Sequence, residues 1–252
     1  KIWNECAYKH KLIYKDHIKE FVGNEYTAFG TAVHEVCEKS VLGEVGRSFN
    51  VLSECFNNKF LEELKNLTEK KVELNKKLIK DMREQAYTLL PYIIPSLIEY
   101  FGEYEVFSAE EEIYETLDKT DKMYKGYIDL ILKTSDGKYH IIDWKTCSWG
   151  WDSKKKADRM VTYQLTFYKH FLAKKHNIDV KDIETHFALL KRTAKSNKVE
   201  IFRVTSGPKK TQNALKLLNK AVYNISSDNH IKNRLSCTSG YGCEFYKTQY
   251  CR

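Results

Sequence analysis

Three charged residues interrupt two aliphatic runs in the stretch GYIDLILKTSDGKYHIIDWKT, residues 126–146: Asp129, Asp143 and Lys145. Residues two apart in a strand share a face, so Asp143 and Lys145 point one way and Trp144 the other. A two-residue Asp136-Gly137 turn would pair Asp129 with Trp144 and set the carboxylates on opposite faces. A three-residue loop, Ser135-Asp136-Gly137, pairs Asp129 with Asp143. Glycine at the third loop position suits a type I turn with a G1 bulge. Two facing carboxylates repel unless a cation sits between them. Hard oxygen ligands suit Mg2+ or Mn2+. Lys145 is then placed to orient and help deprotonate an attacking water. That is the chemistry of metal-assisted phosphodiester hydrolysis. The plainer alternative is a Lys145–carboxylate salt bridge on a solvated sheet face.

Other residues can join this set. GTAVHEVCE puts Gly30, His34 and Glu38 at four-residue spacing on one helix face. A neutral imidazole at His34 is a good further metal ligand, although a lone helical histidine is more often structural. YQLTFYKHF puts Gln164 and Tyr168 one turn apart, where edge-of-core packing is the alternative. CSWGWDSKKK sets Trp149 and Trp151 beside Lys154, Lys155 and Lys156. Aromatic faces stack on unpaired bases while lysines follow the phosphates, unless one of these tryptophans packs into the core. LLKRTAKSNK is a second basic stretch, read as a solvated turn with phosphate contact as the sharper option.

The elements that must hold these residues follow from periodicity. Residues 27–43 read as the His34-bearing helix, with Thr27 as its cap and Gly43 as its end. Residues 50–104 read as a helical insertion, in which Leu74, Leu78, Met82, Ala86, Leu89 and Ile93 form an apolar stripe. Pro91 and Pro95 should kink or divide it. Strands are expected near 105–117, 122–133, 138–145, 183–191 and 198–205, with a helix over 155–176. A last helix starts at Ser206-Gly207-Pro208, and a Cys-rich tail completes 206–252. This order predicts an α/β (α+β) fold: a mixed central sheet, 105–205, flanked by helices, the whole 1–252 forming one domain.

Taken in order, these pieces resemble the RecB-type branch of the PD-(D/E)XK nuclease superfamily. Its pattern is G-x-x-x-H on a helix, G-x-x-D in a strand, D-x-K in the next strand and Q-x-x-x-Y on the following helix. Here these are Gly30/His34, Gly126/Asp129, Asp143/Lys145 and Gln164/Tyr168, covering residues 27–168. The resemblance implies that His34, Asp129 and Asp143 hold a Mg2+ or Mn2+ ion. It implies that Asp129, Asp143 and Lys145 carry catalysis, with Lys145 serving the nucleophilic water. Gln164 and Tyr168 support the site and the strand being cut. A further glutamate is expected in the strand before G-x-x-D, and Glu110, Glu111 and Glu112 all qualify. Some members, the CRISPR-associated RecB-like nucleases and the AddB nuclease domain, carry an iron–sulfur cluster stapling the two chain ends. By that resemblance Cys6, Cys237, Cys243 and Cys251 would hold a 4Fe–4S cluster. The gaps of five and seven residues between the last three are wider than the usual pattern. Four thiolates equally suit a structural Zn2+, and free thiols are the third alternative.

Composition fits this class. The net charge of +8 among 252 residues suggests a polyanion partner, and 34 acidic residues leave room for an acidic pocket within a basic surface. The expected partner is DNA, single-stranded or with free ends. No P-loop is present, so a helicase or recombination partner would have to supply any motor. Seven cysteines and a charge-interrupted start argue against a secreted disulfide framework and for a reducing, cytoplasmic setting. No apolar run is long enough to span a membrane. The competing functions are a non-catalytic nucleic-acid-binding module of the same fold and a structure-specific endonuclease.

Overall fold

A computed structural model of the chain describes residues 1–18, 21–117, 120–240 and 242–251. The backbone forms two compact units: one is Gly23–Thr211, and the other combines Lys1–Val22 with Gln212–Arg252. Two short helices, α1 (Ile2–Glu5) and α2 (Ala7–Tyr14), open the second of these.

The His34 helix starts earlier than the sequence suggests: α3 spans Glu25–Val41. Asn24 is its cap, accepting the N–H groups of Tyr26 and Thr27 at 3.0 and 3.1 Å. Thr27 completes a capping box by accepting the Asn24 N–H at 2.9 Å. Both residues are good cap formers, and the choice fell to the one three positions upstream. The helical stretch then forms α4 (Phe49–Glu69), α5 (Lys76–Leu89) and α6 (Ile93–Phe101). Pro91 lies in the 3-10 turn Leu90–Tyr92 that separates α5 from α6, as its missing N–H dictates.

Five strands follow the predicted order: β1 (Tyr104–Thr116), β2 (Met123–Thr134), β3 (Tyr139–Cys147), β4 (Ile183–Lys191) and β5 (Val199–Arg203). They form one sheet in sequence order. All neighbours are antiparallel except β3 and β4, which are parallel. A parallel pair needs a crossover, supplied by α7 (Ser153–Ala157) and α8 (Arg159–His176). The final helix, α9, spans Pro208–Ser226.

The sheet is covered on both faces. Leu130, Leu132, Ile142, Trp144, Ala188 and Leu190 join Phe29, Phe56, Phe60, Met82 and Leu97 from α3–α6 in one core. Trp144 is only 2% exposed, and its truncation to alanine would cost about 3–5 kcal/mol. On the other face α8 packs on β1, β3 and β4. There Leu165, Phe171 and Leu172 are buried, as are Ile141, Phe187 and Leu189 of the strands. Among the described residues no helix is long and apolar enough to cross a membrane.

Candidate active site

The β2–β3 hairpin has the three-residue loop. Leu130 pairs with Ile142 and Lys133 with Tyr139. Thr134 N–H donates to Lys138 O at 3.0 Å, and Gly137 takes φ +82°, the left-handed conformation that a G1 bulge requires. Continuing this register sets Asp129 opposite Asp143. The regular ladder stops at Leu130, because the Trp144 N–H donates to Asp129 Oδ2 at 2.7 Å. The two strands therefore fork at the two carboxylates.

Asp143 is fully buried. Gln164 Nε2, on α8, donates to its Oδ1 at 2.7 Å and to Tyr168 Oη at 3.0 Å. Lys145 Nζ pairs with Oδ2, and among the described residues no other group is hydrogen-bonded to that oxygen. A buried carboxylate oxygen whose one partner is an ammonium can also face a hard cation. His34 Nδ1 lies 3.8 Å from Asp129 Oδ2. Burial, then the charge of Lys145, lowers the affinity of His34 for a proton and leaves its imidazole available as a ligand. Burial also pushes the pKa of Asp129 and Asp143 well up, against the pull of Lys145.

The candidate glutamates separate by environment. Glu111 is engaged by Ser108 at 2.6 Å, Lys175 at 2.6 Å and His176 at 2.7 Å. Glu112 pairs with Lys125 at 3.1 Å and accepts from Tyr127 at 3.0 Å. Glu110 lies between Ala109 and Glu111, which pair with Leu130 and Ile128, so the register sets it opposite Asp129. Partial burial, then the charges of Asp129, Glu38 and Asp143, push Glu110 up to about 7. Glu110, Asp129 and Asp143 thus form a row across three strands.

One glycine allows a close approach. A Cβ on Gly126 would lie 3.0 Å from Tyr168 Cε1, so only glycine lets that ring settle over β2. A Cβ on Gly30 would meet Thr146 Oγ1, where α3 meets β3, only at an ordinary contact distance of 3.4 Å. Tyr124, which no motif singled out, stacks on Phe171 at 4.3 Å and borders Gly126. Burial, then Tyr168 and Asp143, raises its pKa. Its signal in the sequence is only its place two residues before Gly126.

The tryptophans differ. Trp151 packs edge-on against Phe187 at 5.1 Å, with Lys155 Nζ 4.6 Å from its ring centroid. Trp149 is 79% exposed. The basic stretch after β4 is largely engaged: Lys191 pairs with Glu200 at 3.3 Å, Arg192 donates to Ser148 at 3.1 Å, and Lys198 donates to Thr88 at 3.0 Å.

Cys6, Cys237, Cys243 and Cys251 all belong to the unit made from both chain ends, and none forms a disulfide. Among the described residues, no three of their sulfurs lie within 4.8 Å of one another, closer to which a zinc tetrahedron would draw them. Cys6 Sγ accepts the N–H groups of Asn233 at 3.4 Å and Lys9 at 3.5 Å. The Phe245 N–H serves Cys243 in the same way. Peptide donors aimed at sulfur fit the donor set of an iron–sulfur site.

The sequence profile of the PD-(D/E)XK nuclease superfamily matches residues 2–251. No curated protein gives a significant match. Among solved structures, the protein named "Putative exonuclease" from Eubacterium rectale has a TM-score of 0.57 at 14% identity, over 93% of this chain and 79% of that one. A protein named SSO0001 has a TM-score of 0.38 at 14% identity, over 95% and 91% of the two chains, too distant to bear on the fold. The first likeness speaks for the fold, and the profile covers the same strands on which Asp129, Asp143 and Lys145 come together. This chain belongs to the PD-(D/E)XK nuclease superfamily.

Proposed function

We propose that the chain is a metal-dependent deoxyribonuclease of the RecB-type branch, working as an exonuclease on single-stranded ends. The observation that carries this reading is the fully buried Asp143, aligned by Gln164 through Oδ1 and paired with the Lys145 ammonium through Oδ2. His34, Asp129 and Asp143 would hold a Mg2+ or Mn2+ ion, with Glu110 beside them. When bound, the ion supplies Lewis acidity toward the scissile phosphate.

The chain's own residues do the rest. Gln164 fixes the Asp143 carboxylate through Oδ1 and leaves Oδ2 facing the site. Lys145 holds the attacking water and stabilises charge as the water oxygen bonds to phosphorus and the bond to the leaving deoxyribose oxygen breaks. Trp149 offers an exposed face for an unpaired base, and the net positive charge adds sequence-independent affinity for phosphates. Trp151, held on Phe187, anchors this loop. A non-catalytic module of the same fold is disfavoured, because such a module has no use for His34, Asp129, Asp143 and Lys145 together.

The test compares a linear single strand, a covalently closed single-stranded circle and a blunt duplex, each with Mn2+. The linear strand should be shortened from its ends, with the circle and the duplex cut far more slowly. Rapid cutting of the circle would return the endonuclease reading. Cutting of none of the three would return the binding module.

A further inference from the structure

The parallel register of β3 and β4 places a second set of ligands on the sheet face opposite the Asp143 side chain. His140 pairs with Glu184 and Ile142 with His186. Residues 184 and 186 share a face, so His140, Glu184 and His186 project together. One ligand atom from each lies within 4.8 Å of the other two, and among the described residues no other His, Cys, Asp or Glu group is drawn this close.

The surroundings fix how these atoms are presented. His140 Nε2 lies 2.9 Å from Thr134 Oγ1, and Thr134 Oγ1 lies 2.5 Å from Asp136 Oδ1. The Thr134 hydroxyl donates to Asp136, so His140 donates its Nε2–H to Thr134 and keeps a lone pair on Nδ1. That Nδ1 is buried, has no hydrogen-bond partner, and lies 3.9 Å from Glu184 Oε2. His186 Nε2 lies 4.0 Å from the same oxygen. Arg203 takes the other oxygen, Oε1, at 2.9 Å, which holds Glu184 in place and leaves Oε2 toward the histidines. Phe101 packs on both imidazoles at 5.0 and 5.1 Å. Burial lowers the proton affinity of both histidines, which keeps them neutral as ligands must be. A lone pair facing a carboxylate across a buried gap lacks a positive partner.

We propose that His140, Glu184 and His186 form a second metal site, which takes one zinc-class divalent ion with a coordination position open to the adjoining pocket of about 480 Å³. Two imidazoles and one carboxylate suit zinc and its borderline neighbours rather than Mg2+. Zinc ligand bonds of ~2.0–2.1 Å require ligand atoms roughly 3.4 Å apart, so the three groups need to close by less than about 1.5 Å. The Asp136–Thr134–His140 chain is the outer support that such histidine ligands require. The ion would tie the starts of β3 and β4 together, three residues upstream of Asp143 on β3.

The test uses the full chain, stripped of metal and titrated with Co2+, in the Asp143→Asn background so that the nuclease site contributes less. One Co2+ per chain should bind with visible d–d bands and without the near-ultraviolet charge-transfer band of thiolate ligands. Zn2+ should displace it. Glu184→Gln keeps an acceptor for Arg203 and should weaken Co2+ binding more than ~100-fold, beyond the 10–100-fold loss of a mere supporting partner. Thr134→Val should weaken it within that smaller range. Binding that shows the thiolate band would assign the ion to the cysteines and overturn the proposal. Unchanged affinity in Glu184→Gln, or no binding at all, would overturn it equally.

Discussion

The proposed reaction concentrates its chemistry in one side chain, Asp143: buried, aligned by Gln164, and paired with Lys145. Asp143→Asn should reduce cleavage to background, and Lys145→Ala should reduce kcat by roughly 10²–10⁴-fold while both variants stay folded. Wild-type rates in either, measured on single-stranded DNA with Mn2+, would remove that residue from the reaction. The raised carboxylates also predict a pH dependence. Asp129, Asp143 and Glu110 titrate near ~4 in an unfolded chain and higher in the folded one, with Glu110 at about 7. Groups raised on folding contribute stability below pH ~4 and lose that contribution as pH climbs through their folded values. Without metal, these groups therefore favour the folded state more at pH 5 than at pH 7.5. Mn2+ should raise Tm more at pH 7.5 than at pH 5, and Asp143→Asn should shrink that difference. Calorimetry at the two pH values, with and without Mn2+, decides it; an equal Mn2+ effect at both would contradict the raised values.

The elements that align these residues were legible wherever period and turn chemistry act locally. Asp136-Gly137 and the aliphatic runs gave the hairpin but left two registers open, and Pro91 gave the break between α5 and α6. The start of α3 was not legible, because Asn24 and Thr27 both suit a cap and only the folded backbone chooses. Glu110 was not legible either. A register shift between Val106 and Ser108, together with φ +49° at Glu110, breaks the strict alternation of β1, so counting by twos cannot choose among three adjacent glutamates. Nor could the sequence separate Trp149 from Trp151, since Phe187 and Phe202 lie far along the chain. The contact of α8 with β2 predicts the behaviour of one small substitution. In Gly126→Ala the new methyl meets the buried Tyr168 ring, which must shift and take Gln164 with it. Displacing a catalytic carboxylate by a fraction of an ångström should cost kcat about tenfold or more, with KM little changed. A selective rise in KM would instead place Tyr168 on the substrate.

At the scale of the whole molecule, composition pointed to a nucleic-acid enzyme, but the division into two units could not be read from it. Cys6 and Cys237 lie far apart in sequence, and only the family resemblance brought them into one set. We expect anaerobically purified protein to be brown, with Cys243→Ala losing colour and stability together. Colourless protein whose zinc disappears in Cys243→Ala would replace the iron–sulfur cluster with zinc. The two-segment unit also sets an order of events during synthesis. Residues 1–22 leave the ribosome before Gly23–Thr211, and their partners at 212–252 come only after it. At ordinary elongation rates that wait is roughly 10–40 s, ample for the intervening unit to fold. The segment bearing Cys6 must spend that interval without its own core, within reach of chaperones and proteases. A cluster or ion shared by the four proposed cysteine ligands would therefore be completed only after Cys251 has emerged.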